Sequence, residues 1–403
     1  MAIIGSGPSG CYTAQALAKA CPDAEITVVD RLPVPYGLIR YGVAGDHQGT
    51  KAITRQFARL FERQGVAFMG GIEIGREVSL DDLQGMFDAV VLAVGLHGDR
   101  SLGVSRDNLA GLYGSGEVTR YWNGHPDAAD FDLRLGRTVA IIGNGNVAMD
   151  LARVMAKRAG DFAGTDFDPA NVCSDVEDIH VVGRSPIEHA RFDATMVKEL
   201  AGIDGLHVRL AEGDMLGEGP LSEAVGVVLE AKAAPAEKSI VFHSGWSVGS
   251  VDGPDTVSAI SLFRGEEERR LPCDSIVTAI GFEWDGALNR AALLDGVQDD
   301  GRLADGLFGV GWFRRGPRGT IPDNRKDAQH VAKTVAAFLE TSGGRGSGRE
   351  ALEQACGGGH TTYEDWLAID AAEVARAGPA RCRHKFHTYS ALRAAVTAGK
   401  EMV

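Results

Sequence analysis

The 403-residue chain has only six cysteines, and no two of them form a Cys-x-x-Cys pair. Cys11, Cys21, Cys173, Cys273, Cys356 and Cys382 are scattered along the sequence, which argues against a disulfide framework, a zinc ribbon and a redox dithiol. Cys382, His384 and His387 lack the spacing of a metal site, so none is expected. No apolar run approaches ~18 residues, so no membrane-spanning helix is expected. The start of the chain has no basic n-region, so no signal peptide is expected, and reduced thiols suit a cytoplasmic protein. Basic residues are also in deficit, 41 against 55 acidic ones, for a net charge of −14. That argues against a nucleic-acid or anionic-membrane partner unless a basic patch forms locally.

Glycine, by contrast, is abundant: 53 of 403 residues, about 13% against a usual ~7%. Collagen-like repeats are absent, so the excess marks tight turns and close approaches of backbone to ligand. Apolar residues at 44% and charged residues at 24% describe a globular chain. At roughly 150 residues per domain, its length accommodates two or three domains.

One string repeats. Ala2-Ile3-Ile4-Gly5-Ser6-Gly7 returns as Ala140-Ile141-Ile142-Gly143-Asn144-Gly145, 138 residues later. Each copy ends an apolar run that suits a strand buried in a parallel sheet, and each precedes a helix-periodic stretch, Cys11 to Ala20 and Val147 to Ala159. Strand, glycine turn and helix form the context in which G-x-G-x-x-G carries weight. The first copy is complete, with Gly5, Gly7 and Gly10, and the strand Glu25 to Asp30 ends in an acid 20 residues past Gly10. In a dinucleotide fold Gly5 makes the turn, Gly7 admits a pyrophosphate to the backbone, Gly10 packs helix on strand, and Asp30 accepts from ribose hydroxyls.

The second copy, Gly143-x-Gly145-x-x-Ala148, has alanine third, as the fingerprint permits. Its acceptor strand, Ile179 to Gly183, leads into Arg184 rather than an acid. A cation there can meet a ribose 2′-phosphate; the competing reading is a solvated surface arginine. Asp88 to Gly95 and Asp274 to Gly281 are a further similar pair of apolar strands ending at glycine. Such strands mark where a chain crosses between an outer and an inserted nucleotide domain. The expected fold is therefore α/β, with two Rossmann-like dinucleotide-binding domains, the second inserted into the first, and a small helical C-terminal extension. Residues 1–105 and 283–340 are assigned to a FAD domain, 106–282 to an NAD(P) domain, and 341–403 to a linker plus an extension packed on the FAD domain.

Three segments narrow the reading: Leu32 to His47, Gly143 to Arg153, and Gly311-Trp312-Phe313-Arg314-Arg315-Gly316-Pro317-Arg318-Gly319-Thr320-Ile321. Together they resemble the adrenodoxin-reductase type of ferredoxin–NADP reductase, bacterial members included, from residue 1 to about residue 340. The resemblance implies non-covalent FAD, NADPH as hydride donor and a [2Fe–2S] ferredoxin as electron acceptor. Carried over by motif, it implies Ser9, Asp30, Leu38 and Val78 at the adenine and ribose end of FAD, and Trp312, Gly319, Thr320 and Ile321 at the isoalloxazine. Asn144, Gly145, Asn146, Val147, Arg184 and Ser185 are assigned to the nicotinamide nucleotide. His47 and Glu199 match a histidine and a glutamate near the nicotinamide, as orienting or proton-handling groups; Trp312 as a core aromatic and Glu199 as a plain solvated acid are the alternatives.

The chain departs from the family at Gly183-Arg184-Ser185-Pro186, where Gly-Arg-Arg-Gly-Pro is usual, and Met196 stands where a glutamate belongs. NADPH remains the expectation, with NADH open. The docking patch for the ferredoxin is expected near Arg314, Arg315 and Arg318, with Arg325 and Lys326 just beyond. A redox sensor or scaffold, or an NADH-preferring diaphorase with another acceptor, is the alternative function.

Overall fold

Short apolar strands, each leading into a helix, build two parallel sheets in a computed structural model that describes all residues except 107, 173–174, 232–236, 343, 345 and 402–403. The first sheet runs Arg302–Ala304, Leu307–Gly309, Val90–Leu92, Ala2–Ile4, Thr27–Asp30, Ala67–Gly70, and only its outer hairpin is antiparallel. The second runs Leu112–Gly114, Ser275–Thr278, Thr138–Ile142, Asp178–Gly183, Lys238–Ser244, Leu206–Leu210, parallel throughout. With both sheet faces covered, strands need unbroken apolar runs rather than alternation; Val90 to Leu92 and Val139 to Ile142 are buried at every position. A three-stranded antiparallel sheet, Ser247–Asp252, Ala259–Arg264 and Glu267–Pro272, covers one face of the second sheet through Trp246, Ile260 and Leu262.

The sequence repeat is a structural repeat. Gly5 donates to the Val29 carbonyl at 2.7 Å and Ala93 to the Ile4 carbonyl at 2.7 Å; Gly143 donates to Val182 at 2.8 Å and Ala279 to Ile142 at 2.7 Å. Both glycines have positive φ, +106° and +135°. A Cβ would lie 2.5 Å from the Ala93 oxygen in one and 2.3 Å from the Ala279 oxygen in the other. Only glycine meets both demands. Ala93 and Ala279 follow the two similar apolar strands, each of which lies beside the strand that runs into its glycine turn.

All strands of the second sheet come from between Leu112 and Thr278, inside the chain that builds the first. The outgoing and returning connections pair as an antiparallel ladder, Gly98–Asp99 with Phe282–Glu283. Asp99 then accepts from the backbone of Gly116 (2.8 Å) and Glu117 (3.2 Å) and from the Ser115 hydroxyl (3.1 Å), anchoring the connection to the first helix beyond it.

The C-terminal helices Gly348–Ala355, Tyr363–Ala375 and Tyr389–Glu401 pack on the first unit: Thr361 bridges Gly70, the Tyr363 and Tyr36 hydroxyls lie 3.0 Å apart, and Arg40 pairs with Glu373 at 2.6 Å. The extension also reaches the second unit, which the sequence reading does not anticipate. Arg381 pairs with Asp168 at 3.1 Å, and Tyr389 donates to Asp127 at 2.5 Å. All three parts meet at one buried node. Lys51 and Lys385 both contact the Asp166 carboxylate, at 2.8 and 2.7 Å, and both reach Asn123 Oδ1 and the Arg40 carbonyl. Burial raises the Asp166 pKa, but the ammoniums of Lys385 and Lys51 outweigh it and hold the carboxyl well below the usual range. Burial pulls Lys385 well below an ordinary lysine.

Asp166→Asn leaves two buried ammoniums without their carboxylate. It should cost about 3–5 kcal/mol, seen as a lower calorimetric unfolding temperature; an unchanged temperature would mean the node contributes nothing to stability.

Candidate functional site

The first glycine turn feeds the Pro8–Ala20 helix, whose N-cap is Gly7 and whose first turn has no side-chain cap. No atom lies within 4 Å of where a Gly7 Cβ would stand, so that side of the turn is open. Gly37 and the half-exposed Leu38 pass beside it; a Cβ on Gly37 would be 3.2 Å from the Gly7 Cα. Asp30 ties the turn to the second strand. Its carboxylate accepts from Ser6 N (2.7 Å), Ser6 Oγ (2.5 Å) and Leu32 N (2.9 Å). A carboxylate offers about four acceptor positions, so one remains for a hydroxyl. Val78 turns its side chain into the core with Ile72 and Ile74, leaving only its backbone for a ligand, and its carbonyl already accepts from Gly75 at 2.7 Å. Ser9 is found against Gly311: a Cβ there would lie 2.0 Å from Ser9 Oγ. This joins the helix start to the Trp312 segment.

In that segment Trp312 stacks on Phe282 of the returning connection, centroids 5.9 Å apart and planes at 20°. Its Nε1 is buried without a partner among the described residues. Gly319 has φ +85°, and Thr320 caps the Ile321–Thr341 helix, its N and Oγ1 donating to Asp323 at 2.8 and 3.0 Å. These bonds hold Asp323 below the ordinary carboxylate pKa. Two of the three arginines expected at a docking patch are otherwise engaged. Arg314 and Arg315 both pair with Asp327, at 2.5 and 3.1 Å, and Arg315 also donates to Asn324 at 2.8 Å. They brace Gly311, whose N–H donates to Asp327 at 2.7 Å. Only Arg318 of the three is exposed.

The second turn repeats the geometry. Gly145 is the uncapped N-cap of the Asn146–Ala156 helix, with nothing within 4 Å of its Cβ position. Asn146 and Asp193 exchange two hydrogen bonds, 2.9 and 2.8 Å, while Arg191 N donates to the Asn144 carbonyl at 2.9 Å. Val147 packs on the core. Strand register makes Gly183, not Arg184, the counterpart of Asp30. The Asn144 side chain fills the vacated space, its Nδ2 2.6 Å from where a Gly183 Cβ would be. Arg184 follows, exposed and without an ion pair or side-chain hydrogen bond among the described residues, and the same holds for Arg191. Ser185 is half-buried and its carbonyl accepts from Gly245 at 3.3 Å. Met196, at the expected glutamate position, packs against the core.

Between the two units the structure brings His47 and Glu199 together, Nε2 to Oε2 at 3.3 Å, with Asp150 3.6 Å from Nδ1. Arg153 lies behind them, buried, bonded to Asp46 and paired with Asp150 at 2.8 Å and Glu199 at 3.3 Å; Lys157 pairs with Asp46 at 2.6 Å. Burial raises Asp46, but Arg153 and Lys157 outweigh it and hold its carboxyl below the usual range, whereas burial dominates at Asp150 and raises it. Asp46, Asp150 and Arg153 were not singled out from the sequence. Asp150 and Arg153 stand one helical turn apart in the second motif, and Asp46 precedes His47, a spacing from which the cluster was legible. Among the described residues there is no group of three or more His, Cys, Asp or Glu side chains that could hold a metal, and no helix long and apolar enough to cross a membrane.

Comparison with known proteins agrees with this geometry. Residues 1–303 match the family described as pyridine nucleotide-disulphide oxidoreductase. The chain is 42% identical to cindoxin reductase of Citrobacter braakii over 96% of its length and 88% of that protein. It is 30% identical to the NADPH-ferredoxin reductase FprA of Mycobacterium tuberculosis, covering 84% of each chain. The solved structure of that FprA in complex with NADPH superposes with a TM-score of 0.89 at 26% identity, over 99% of both chains. With two glycine turns, a shared junction and these relatives in agreement, the chain belongs to the pyridine nucleotide-disulphide oxidoreductase family, on the branch of the ferredoxin and adrenodoxin reductases.

Proposed function

We propose that the protein is an FAD-dependent NADPH–ferredoxin reductase, in which residues 1–105 and 283–340 carry FAD, residues 106–282 carry NADPH, and 341–403 form a bridging extension. The observation that carries this reading is the doubled glycine turn, two uncapped helix starts with open space above Gly7 and Gly145, on either side of the His47 junction. An uncapped N-terminus leaves backbone N–H groups free for a diphosphate. The Trp312 Nε1, without a partner among the described residues, is a donor available to a bound group. Bound there, FAD would supply a two-electron acceptor for hydride and a one-electron donor.

The chain's own residues supply position. Gly7 admits the diphosphate of FAD, Gly10 packs the helix on its strand, Asp30 takes a ribose hydroxyl, and Leu38 and the backbone at Val78 face the adenine and ribose end. Trp312 and the 319–321 helix start bound the ring end, where the helix favours negative charge on the ring; Ser9, expected at the ribose end, lies instead against Gly311 beside Trp312. Asn144 to Val147 hold the second diphosphate, and Arg184 with Ser185 meets the 2′-phosphate. His47, its ring fixed by Glu199 and Asp150, orients the nicotinamide and handles protons at the junction. The free thiols of the described cysteines suit a cytoplasmic setting. A second reading, an NADH-preferring diaphorase, is favoured by Ser185 and Met196, which thin the phosphate clamp.

Steady-state turnover with NADPH and with NADH, read through a [2Fe–2S] ferredoxin coupled to cytochrome c, tests this. NADPH should be preferred and the ferredoxin reduced; NADH preference with no ferredoxin reduction would favour the diaphorase. Arg184→Ala should raise the KM for NADPH about tenfold, equivalent to about 1.4 kcal/mol, and leave NADH almost unchanged. Equal losses for both would refute a 2′-phosphate contact. Glu199→Gln should lower kcat about tenfold, through misorientation of His47, with little change in KM; a kcat equal to wild type would remove Glu199 from the mechanism.

A further inference from the structure

A phosphate monoester carries about −1.5 to −2 charge near pH 7, so one arginine leaves part of that charge unmatched. The end of the Asp178–Gly183 strand offers one, Arg184, because serine stands at 185 and Met196 packs against the core. A second cation lies seven residues on. Arg191 is exposed and, like Arg184, has no ion pair or side-chain hydrogen bond among the described residues.

The backbone places Arg191 at the second glycine turn. After Gly183 the chain leaves the sheet, makes a short turn at Ile187–His189 and comes back. Its return is pinned at two points. Arg191 bridges Gly145, its N–H donating to the Asn144 carbonyl at 2.9 Å, and Asp193 exchanges hydrogen bonds of 2.8 and 2.9 Å with Asn146. Ile187 and Phe192 are both buried in the core of this unit, which leaves the Arg191 side chain facing outward.

Asn144 links the two arginines. Its carbonyl holds Arg191, and its side chain fills the space beside Gly183, the residue before Arg184. Both side chains therefore start next to one residue, on the side of the turn where Asp30 stands in the first unit. The two acids of the segment are engaged. Asp193 is committed to Asn146, and the Glu188 carboxylate packs on Gly217, 2.4 Å from where a Cβ there would stand.

We propose that Arg191 is the second cation of the 2′-phosphate subsite, gripping the phosphate together with Arg184 from the returning loop rather than from the strand end. The proposal rests on the reductase reading above and names the residue that restores a clamp thinned by Ser185 and Met196. Two guanidinium forks match the charge and the oxygens of a phosphate. A nucleotide without that phosphate loses nothing when Arg191 stays in water.

Isothermal titration calorimetry of the oxidised holoprotein with NADP+, NAD+ and adenosine 2′,5′-bisphosphate tests this on wild type, Arg184→Ala, Arg191→Ala and Arg191→Lys. Arg191→Ala should weaken NADP+ and the bisphosphate about tenfold, the loss of one charge-assisted contact, and leave NAD+ affinity and flavin content unchanged. Arg191→Lys should recover part of the loss, because the charge returns without the fork. Wild-type affinity of Arg191→Ala for both phosphorylated probes, in a protein that prefers NADP+ to NAD+, would overturn the assignment and leave the reductase reading standing. Equal losses for NADP+ and NAD+ would also overturn it, by moving Arg191 to the diphosphate. A wild type that binds NAD+ as tightly as NADP+ would overturn the NADPH reading, and the subsite with it.

Discussion

A single carboxylate shared by two buried ammoniums sets the geometry on which the rest depends. Lys51 belongs to the first nucleotide-binding unit, Asp166 to the second and Lys385 to the C-terminal extension, so the Asp166 node exists only when all three parts are in place. Burying three ions is costly, and a well-packed apolar cluster would serve stability at least as well. What an ionic node adds is direction: it fixes which face of one unit meets which face of the other. Hydride transfer needs reacting atoms about 3–3.5 Å apart and aligned, so a loosely hinged pair of units would turn over poorly. The second cluster, Asp46 and His47 against Asp150, Arg153 and Glu199, repeats that constraint at the mouth of the site.

The two units use one backbone solution with different side chains. In the first, Ser6 and Leu32 bond to Asp30, and a carboxylate stands where a ribose hydroxyl can reach it. In the second, glycine replaces that acid and the Asn144 side chain takes up the space. Removing a negative charge there and following it with a free arginine is what a 2′-phosphorylated nucleotide demands. The proposed division of two cofactors between the units rests on this difference between two otherwise matching turns.

Much of this was legible in the sequence because the fold's tightest constraints are local. Gly5 and Gly143 are dictated by a positive φ and a neighbouring carbonyl, and a run of six residues carries that signal. The insertion was legible from two matching strands. What escaped notice depends on contacts between distant residues. The sheet of Ser247 to Pro272 alternates only weakly, with Arg269, Arg270 and two glutamates on its outer strand, so it does not read as core. The bridging role of the extension rests on Lys385 meeting Lys51 and Asp166 across the whole chain. Arg314 and Arg315 read as a surface patch because their common partner, Asp327, lies 12 and 13 residues on, beyond a turn whose path the sequence leaves open.

The proposed reaction requires two nucleotides to meet at the His47 junction so that hydride passes directly between them. Anaerobic stopped-flow mixing of the FAD-loaded protein with NADPH, unlabelled and deuterated at the nicotinamide C4, tests that most directly. Rapid loss of flavin absorbance, slowed by deuterium in a primary isotope effect, is the expected result. Tight NADPH binding with the flavin absorbance unchanged would contradict it.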